Sequence, residues 1–250
     1  MAGTQAIDRA AELLVRVVES PRPLAVGELA ASSGLPKSTT SRLLGALERH
    51  GLVQRAGGLR PGPVLLRLAQ RGLPAGELVD LADEALRRLA DESGETINLA
   101  VPTPLGVAHL AQRDSRHFVG VANWVGRHVP LHCTANGKVF LAYGVAPVPE
   151  RLESRTGRTI VGRAELEAAL EQVRARGYAT AVDELELGLS AVAAPVHAAG
   201  GEVVAALSVS GPTIRLTGRR IDQLAPLLLE QARGLGVRLG HESKAARGAA

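Results

Sequence analysis

The stretch from Val26 to Arg49 constrains this chain most. Val26-Gly-Glu-Leu-Ala-Ala-Ser32 has a helical composition, Ser33-Gly34-Leu35 makes a tight turn, and Pro36-Lys-Ser-Thr-Thr-Ser-Arg-Leu-Leu-Gly-Ala-Leu-Glu-Arg49 reads as a second helix. That is the spacing of a helix-turn-helix. Gly34 supplies the turn, and Pro36 is expected at the first helical position, where its missing donor would have no partner anyway. At about 100° per residue, Thr40, Leu43, Leu44 and Leu47 share one face, while Ser38, Ser41, Arg42, Gly45 and Arg49 share the opposite one. The outward face combines short hydroxyls, a glycine that lets another backbone approach, and guanidinium groups. Such a face suits phosphates and base edges. The plainer alternative is a solvated surface helix, because any amphipathic helix carries a polar stripe.

Charge is partitioned along the chain. Residues 1–70 hold nine Lys/Arg against five Asp/Glu, and residues 71–250 hold twenty against twenty, so the net charge of +4 lies in the first segment. A local basic excess is the electrostatic footprint expected for a polyanionic partner. Arg outnumbers Lys twenty-six to three, a bias that runs through the whole chain. The 250 residues allow one large domain or two of modest size. With 46% apolar and 22% charged residues, no apolar run of membrane-spanning length and no basic-then-apolar leader, the expectation is a cytoplasmic chain with no membrane partner. The single cysteine, Cys133, excludes an internal disulfide framework and a cysteine-rich zinc site.

Periodicity supplies the remaining elements. Thr4 to Glu19 repeats apolar residues at helical spacing and should pack under the helix-turn-helix pair. Leu52 to Arg55, the turn Ala56-Gly-Gly58 and Leu59-Arg60 form a small wing. A helix is expected over Val64 to Ala69 and a stronger one over Glu77 to Glu92, separated by Pro74-Ala-Gly76. From Glu95 the period becomes that of strands: Thr96 to Val101, Gly106 to Arg113, Phe118 to Val121, Tyr178 to Val182, Ser190 to His197 and Val203 to Ser210. Helices are expected at Thr134 to Tyr143, Arg163 to Arg176 and Thr217 to Leu239, and Ser243 to Ala250 reads as a loose tail. Strands with interspersed helices and hairpin-length joins favour an α+β domain on an antiparallel sheet.

The chain resembles the IclR family of bacterial transcription regulators over nearly its full length. The matching runs are Gly34-Leu-Pro-Lys-Ser-Thr39 with Arg42-Leu-Leu44, Gly94-Glu-Thr96, Pro130-Leu-His132 with Gly137-Lys138, Gly177-Tyr178, Ala194-Pro195, and Ala205-Ala-Leu-Ser-Val-Ser-Gly-Pro212 with Arg215-Leu216. The resemblance implies an N-terminal winged helix-turn-helix (residues 1–67), linker helices (68–93) and a C-terminal effector domain of GAF-like topology with an antiparallel sheet (94–242). It further implies a homodimer or dimer of dimers on a double-stranded DNA operator, acting first as a repressor, with activation as the alternative, and responding to a small-molecule effector. The expected DNA contacts are Lys37, Ser38, Thr39, Ser41, Arg42 and Arg49. Gly57-Gly-Leu-Arg-Pro61 departs from the family wing, which carries an Arg and an aromatic before its second strand. Where acid-binding members hold an acidic residue and a cysteine, this chain has Ala181 and Ala191, which implies a different ligand.

The effector pocket also has a physical reading. Ser208 and Ser210 lie two apart on a strand, so their hydroxyls share a face. Thr134-Ala135-Asn136-Gly137-Lys138 opens a helix, whose free N–H groups and dipole favour a carboxylate or phosphate. Thr134, Ala135, Asn136, Gly137, Ala181, Asp183, Ala191, Ser208 and Ser210 are therefore the candidate effector contacts, and the expected ligand is an organic acid bulkier than two- and three-carbon oxoacids, such as an aromatic or medium-chain acid. The alternative is that the serines satisfy backbone groups and Thr134 merely caps its helix.

Other constellations carry less. His128, His132 and Cys133 are close in sequence, but Pro130 interrupts any helix that would align them on a metal. Cys133 beside His132 lacks a positioned base and reads as a small buried thiol. Trp124 could line the pocket or stiffen an oligomer. No catalytic residue, metal or cofactor is expected. A small-molecule enzyme fused to a helix-turn-helix and a nucleoid-type DNA binder are the remaining alternatives.

Overall fold

The computed structural model describes residues 2–71 and 74–241, and the chain divides into two compact units, Met1–Pro74 and Ala75–Ala250. The tail expected from Ser243 lies outside the described residues.

In the first unit, helix α1 (Ala2–Glu19) packs against α2 (Val26–Ser33) and α3 (Lys37–Arg49), which are joined by Gly34 in the left-handed region at φ 66°. Leu13 and Val17 of α1 meet Leu29, Leu44, Leu47, Val53 and Leu59 in a buried apolar cluster. Glu28 closes the α2 entry by accepting from the Ala25 N–H at 2.7 Å. Pro36 stands one residue earlier than expected, as the residue preceding α3, because its carbonyl already accepts the first helical bond from Thr40 N–H at 3.0 Å. Strands β1 (Val53–Arg55) and β2 (Leu59–Pro61) pair antiparallel as the wing, and Leu24 bridges to Leu59 on its other edge. Helix α4 (Pro63–Arg71) follows.

The second unit opens with α5 (Ala75–Ser93). Ala75 and Gly76, expected to separate two helices, belong to its first turn. Its strands are β3 (Thr96–Thr103), β4 (Gly106–Arg113), β5 (His128–Val129), β6 (Ala179–Val182), β7 (Leu189–His197) and β8 (Val203–Pro212), in one antiparallel sheet ordered β5-β4-β3-β8-β7-β6. The helices are α6 (Ala135–Ala142), α7 (Arg163–Arg176) and α8 (Gly218–Arg238). Phe118 to Val121, expected as a strand, is irregular. Phe118 and Val119 are exposed rather than laid on a sheet face, and the Val119 carbonyl accepts from Arg215 at 2.9 Å instead of from a neighbouring strand. The short β5 takes that place at the sheet edge.

Both faces of the sheet are covered, which is why its strands read as nearly continuous apolar runs. Ile97 and Leu99, Val192 and Ala194, and Leu207 and Val209 bury into α5 and α8. Their alternate neighbours, Ala100, Ala193 and Ala206, join Val139, Phe140, Leu166 and Leu170 of α6 and α7. Helix α5, read from sequence as part of a linker, contributes Leu78, Ala82, Ala85, Leu86 and Leu89 to this core. No helix among the described residues is long and apolar enough to cross a membrane.

Candidate functional site

Two surfaces carry chemistry, one in each unit. On α3, Thr40, Leu44 and Leu47 are buried, while Lys37, Ser38, Ser41, Arg42 and Arg49 are exposed and Thr39 is half-buried. A side chain at Gly45 would meet nothing within 4 Å. Arg16, Arg22 and Arg55 of the same unit are engaged by Glu12, Glu28 and Glu48. Lys37, Arg42 and Arg49 have no acidic partner among the described residues, so this helix face presents uncompensated cations.

In the second unit, a cavity of about 480 Å³, its mouth included, opens between the α6 end of the sheet and the loop after β4. Its floor is set by register. Ala181, Ala191 and Ser210 pair across β6, β7 and β8, and Ala193, Ser208 and Asn98 pair across β7, β8 and β3. These small side chains leave the space that larger ones would fill. Thr134, Ala135 and Asn136 at the start of α6 form a second wall, and Val121, Trp124, Val129, Leu185 and Leu189 form an apolar one.

The polar wall is a buried hydrogen-bond network. Asn98 Nδ2 donates to Ser210 Oγ at 3.2 Å, and Ser210 donates on to the Thr96 carbonyl at 3.4 Å. Asn136 Nδ2 donates to Ser208 Oγ at 3.1 Å and lies 3.4 Å from His109 Nε2. The other ends of these groups, Asn98 Oδ1, Asn136 Oδ1 and His109 Nδ1, are buried with no partner among the described residues. Burial pushes the His109 imidazole down to about 4, so the ring is neutral at pH 7. Among the described residues no Lys or Arg lines the cavity. Lys138, one turn along α6, is held by Glu184 and by the Thr180 carbonyl.

Of the nine expected effector contacts, Thr134, Ala135, Asn136, Ala181, Ala191, Ser208 and Ser210 line this cavity; Gly137 and Asp183 do not. Gly137 backs onto the chain before α6, where a Cβ would lie 2.1 Å from the Leu131 carbonyl oxygen, so its role is close packing. Asp183 stands at φ 58° and accepts from Gly188 N–H at 2.8 Å and Thr213 Oγ at 2.9 Å, which closes the turn between β6 and β7. Thr134 accepts from Gly137 N–H at 3.2 Å, so it caps α6 as well as lining the cavity. Asn98, His109 and Trp124 complete the site; Asn98 and His109 each interrupt an apolar strand run, the one signal of them in sequence.

Cys133 lines the same cavity, buried, with its thiol pushed up to about 11 chiefly by burial, so it stays protonated at pH 7. His132 donates from Nε2 to the Glu153 carbonyl at 2.9 Å, and His128 is exposed. Among the described residues no three His, Cys, Asp or Glu converge on a metal-sized site.

A winged helix-turn-helix followed by a separate α+β unit with a partly polar cavity is the architecture of a DNA-binding transcription regulator. Residues 6–57 match the IclR helix-turn-helix domain, and residues 71–237 match the bacterial transcriptional regulator IclR C-terminal domain. The chain belongs to the IclR family. It is 31% identical over 247 residues to the transcriptional repressor IclR of Escherichia coli K12, covering 94% of this chain and 90% of that protein. It is 35% identical over 240 residues to the glycerol operon regulatory protein of Streptomyces coelicolor, covering 92% of each. A crystal structure of an IclR-type transcriptional regulator from Silicibacter sp. TM1040 superposes with a TM-score of 0.73 at 27% identity, covering 95% of this chain and 96% of that one. These relatives are regulators rather than enzymes.

Proposed function

We propose that the protein is a repressor whose affinity for its operator is set by a small organic acid bound in the second unit, and that it works as a homodimer or dimer of dimers. The α3 face, with Lys37, Ser38, Thr39, Ser41, Arg42 and Arg49, contacts DNA. Lys37, Arg42 and Arg49 supply the phosphate and base-edge donors that no internal acid satisfies.

One observation carries the effector reading. Ala135 and Asn136, at the positive dipole end of α6 where the first backbone donors have no helical partner, form a wall of a cavity lined with Ser208 and buried amides. A carboxylate there meets N–H and hydroxyl donors without a buried cation, and its carbon skeleton meets Trp124, Leu185 and Leu189. Ala181 and Ala191 leave room for an acid larger than a two- or three-carbon oxoacid.

Capture of genomic DNA on the intact protein identifies the operator. Fluorescence anisotropy on that DNA with a panel of aliphatic and aromatic acids should then show a reciprocal change in operator and acid affinity. Operator affinity that responds only to neutral or cationic compounds overturns the acid reading.

A further inference from the structure

We infer that the effector carries at least two hydroxyl groups, read by the side-chain carbonyls of Asn98 and Asn136. The inference rests on the effector pocket proposed above and adds the part of the ligand lying beyond its carboxylate.

Asn98 is 2% exposed and Asn136 5% exposed, and in each the amide nitrogen is already committed, to Ser210 and to Ser208. In each, Oδ1 is the end left without a partner. Both leave this oxygen, an acceptor only, buried on residues that line the cavity. A carboxylate cannot satisfy an acceptor; a hydroxyl can. A purely apolar acid would leave both oxygens buried and unpaired, which is unfavourable for each.

His109 adds a donor to the pattern. Asn136 Nδ2 approaches His109 Nε2, which assigns Nε2 as the acceptor and places the ring proton on the unpartnered Nδ1. The lining residues therefore hold two unpaired carbonyl acceptors and one neutral imidazole donor, a set that matches hydroxyls, which both donate and accept.

The spacing is also set by the fold. Ser208 and Ser210 are two residues apart on β8, roughly 6.6 Å by strand rise, and each tethers one amide. Two hydroxyls on one short chain or ring can bridge that span, each reaching out by a hydrogen bond of about 2.7 Å. The opposite wall of Val121, Trp124 and Leu189 accepts the C–H face of such a molecule.

Titration calorimetry on the full-length protein with two matched pairs tests this: D-gluconate against hexanoate, and 3,4-dihydroxyphenylacetate against phenylacetate. In at least one pair the hydroxylated acid should bind about tenfold or more tightly than its partner. Equal or tighter binding of the hydroxyl-free acids in both pairs overturns the inference and leaves the acid reading standing, and so does absence of binding by both hydroxylated acids when a hydroxyl-free one binds. Sorbitol binding as tightly as gluconate supports the hydroxyl inference and overturns the acid reading. In Asn98→Leu, with its fold checked by circular dichroism, the preference within the responding pair should shrink about tenfold. An undiminished preference in folded Asn98→Leu, or in Asn136→Ala, removes that amide from the site; the comparison on the unaltered chain needs neither variant.

Discussion

The ammonium of Lys138 lies 2.6 Å from Glu184 Oε1, with the two side chains only 4% and 11% exposed, and so ties α6 to the turn that follows β6. Removing one member strands the other as a buried charge. Lys138→Met should cost about 3–5 kcal/mol of unfolding free energy, whereas the double variant Lys138→Met, Glu184→Leu should recover most of that loss. Urea denaturation of the parent, Lys138→Met, Glu184→Leu and the double variant checks this; a double variant as unstable as the sum of the two singles argues against the pair as one unit.

Gly137 tolerates no side chain. An added Cβ would meet backbone atoms of Leu131 at 2.1 to 2.5 Å, and a main chain cannot rotate aside as a flexible side chain would. Gly137→Ala should therefore destabilise the second unit by about 2 kcal/mol or more despite the better helix propensity of alanine. A thermal melt no lower than that of the parent would refute the close-packing role.

His109 makes stability depend on pH in mild acid. Its folded-state pKa of about 4 lies below its ordinary value of 6.5, so between those limits the unfolded chain binds a proton that the folded one does not. Stability is complete above pH 6.5 and falls as pH drops toward 4, by at most about 3 kcal/mol from this residue. Replacing His109 with Gln should flatten that segment of the curve in urea melts, relative to the parent.

On DNA, Arg42→Ala should lose about 1–3 kcal/mol on the operator with less loss on unrelated sequence. Lys37→Ala should weaken all sequences alike and lower the salt slope by about one. Anisotropy titrations over a range of salt separate the two behaviours; unchanged operator affinity of a folded Arg42→Ala protein takes that residue out of the interface.

Element types were legible wherever a segment had one dry face. The spacing of Leu43, Leu44 and Leu47 marked α3, and the turn chemistry of Ala56-Gly-Gly58 marked the wing. Phe118-Val119 misled because an apolar pair on an exposed loop has the composition of a strand and none of its pairing. Four of the six residues of the polar wall, Thr134, Asn136, Ser208 and Ser210, were legible from the strand spacing and the helix start. Asn98 and His109 were not, because β3 and β4 are covered on both faces and alternation gives no sign of which side a polar residue takes. Only the register places Asn98 opposite Ser208. Gly137 and Asp183 sit where sequence proximity suggested ligand contact; Gly137 packs against the Leu131 backbone and Asp183 closes the turn between β6 and β7.

Strand β3 carries Asn98 toward the cavity and Ile97 and Leu99 toward α5, the helix through which the chain enters this unit. A pleated strand is stiff across its own thickness, so those three residues cannot be displaced independently. Asn98 therefore shares its backbone with the two residues on which α5 packs, so a substitution that shifts this strand disturbs the cavity and the seat of α5 together.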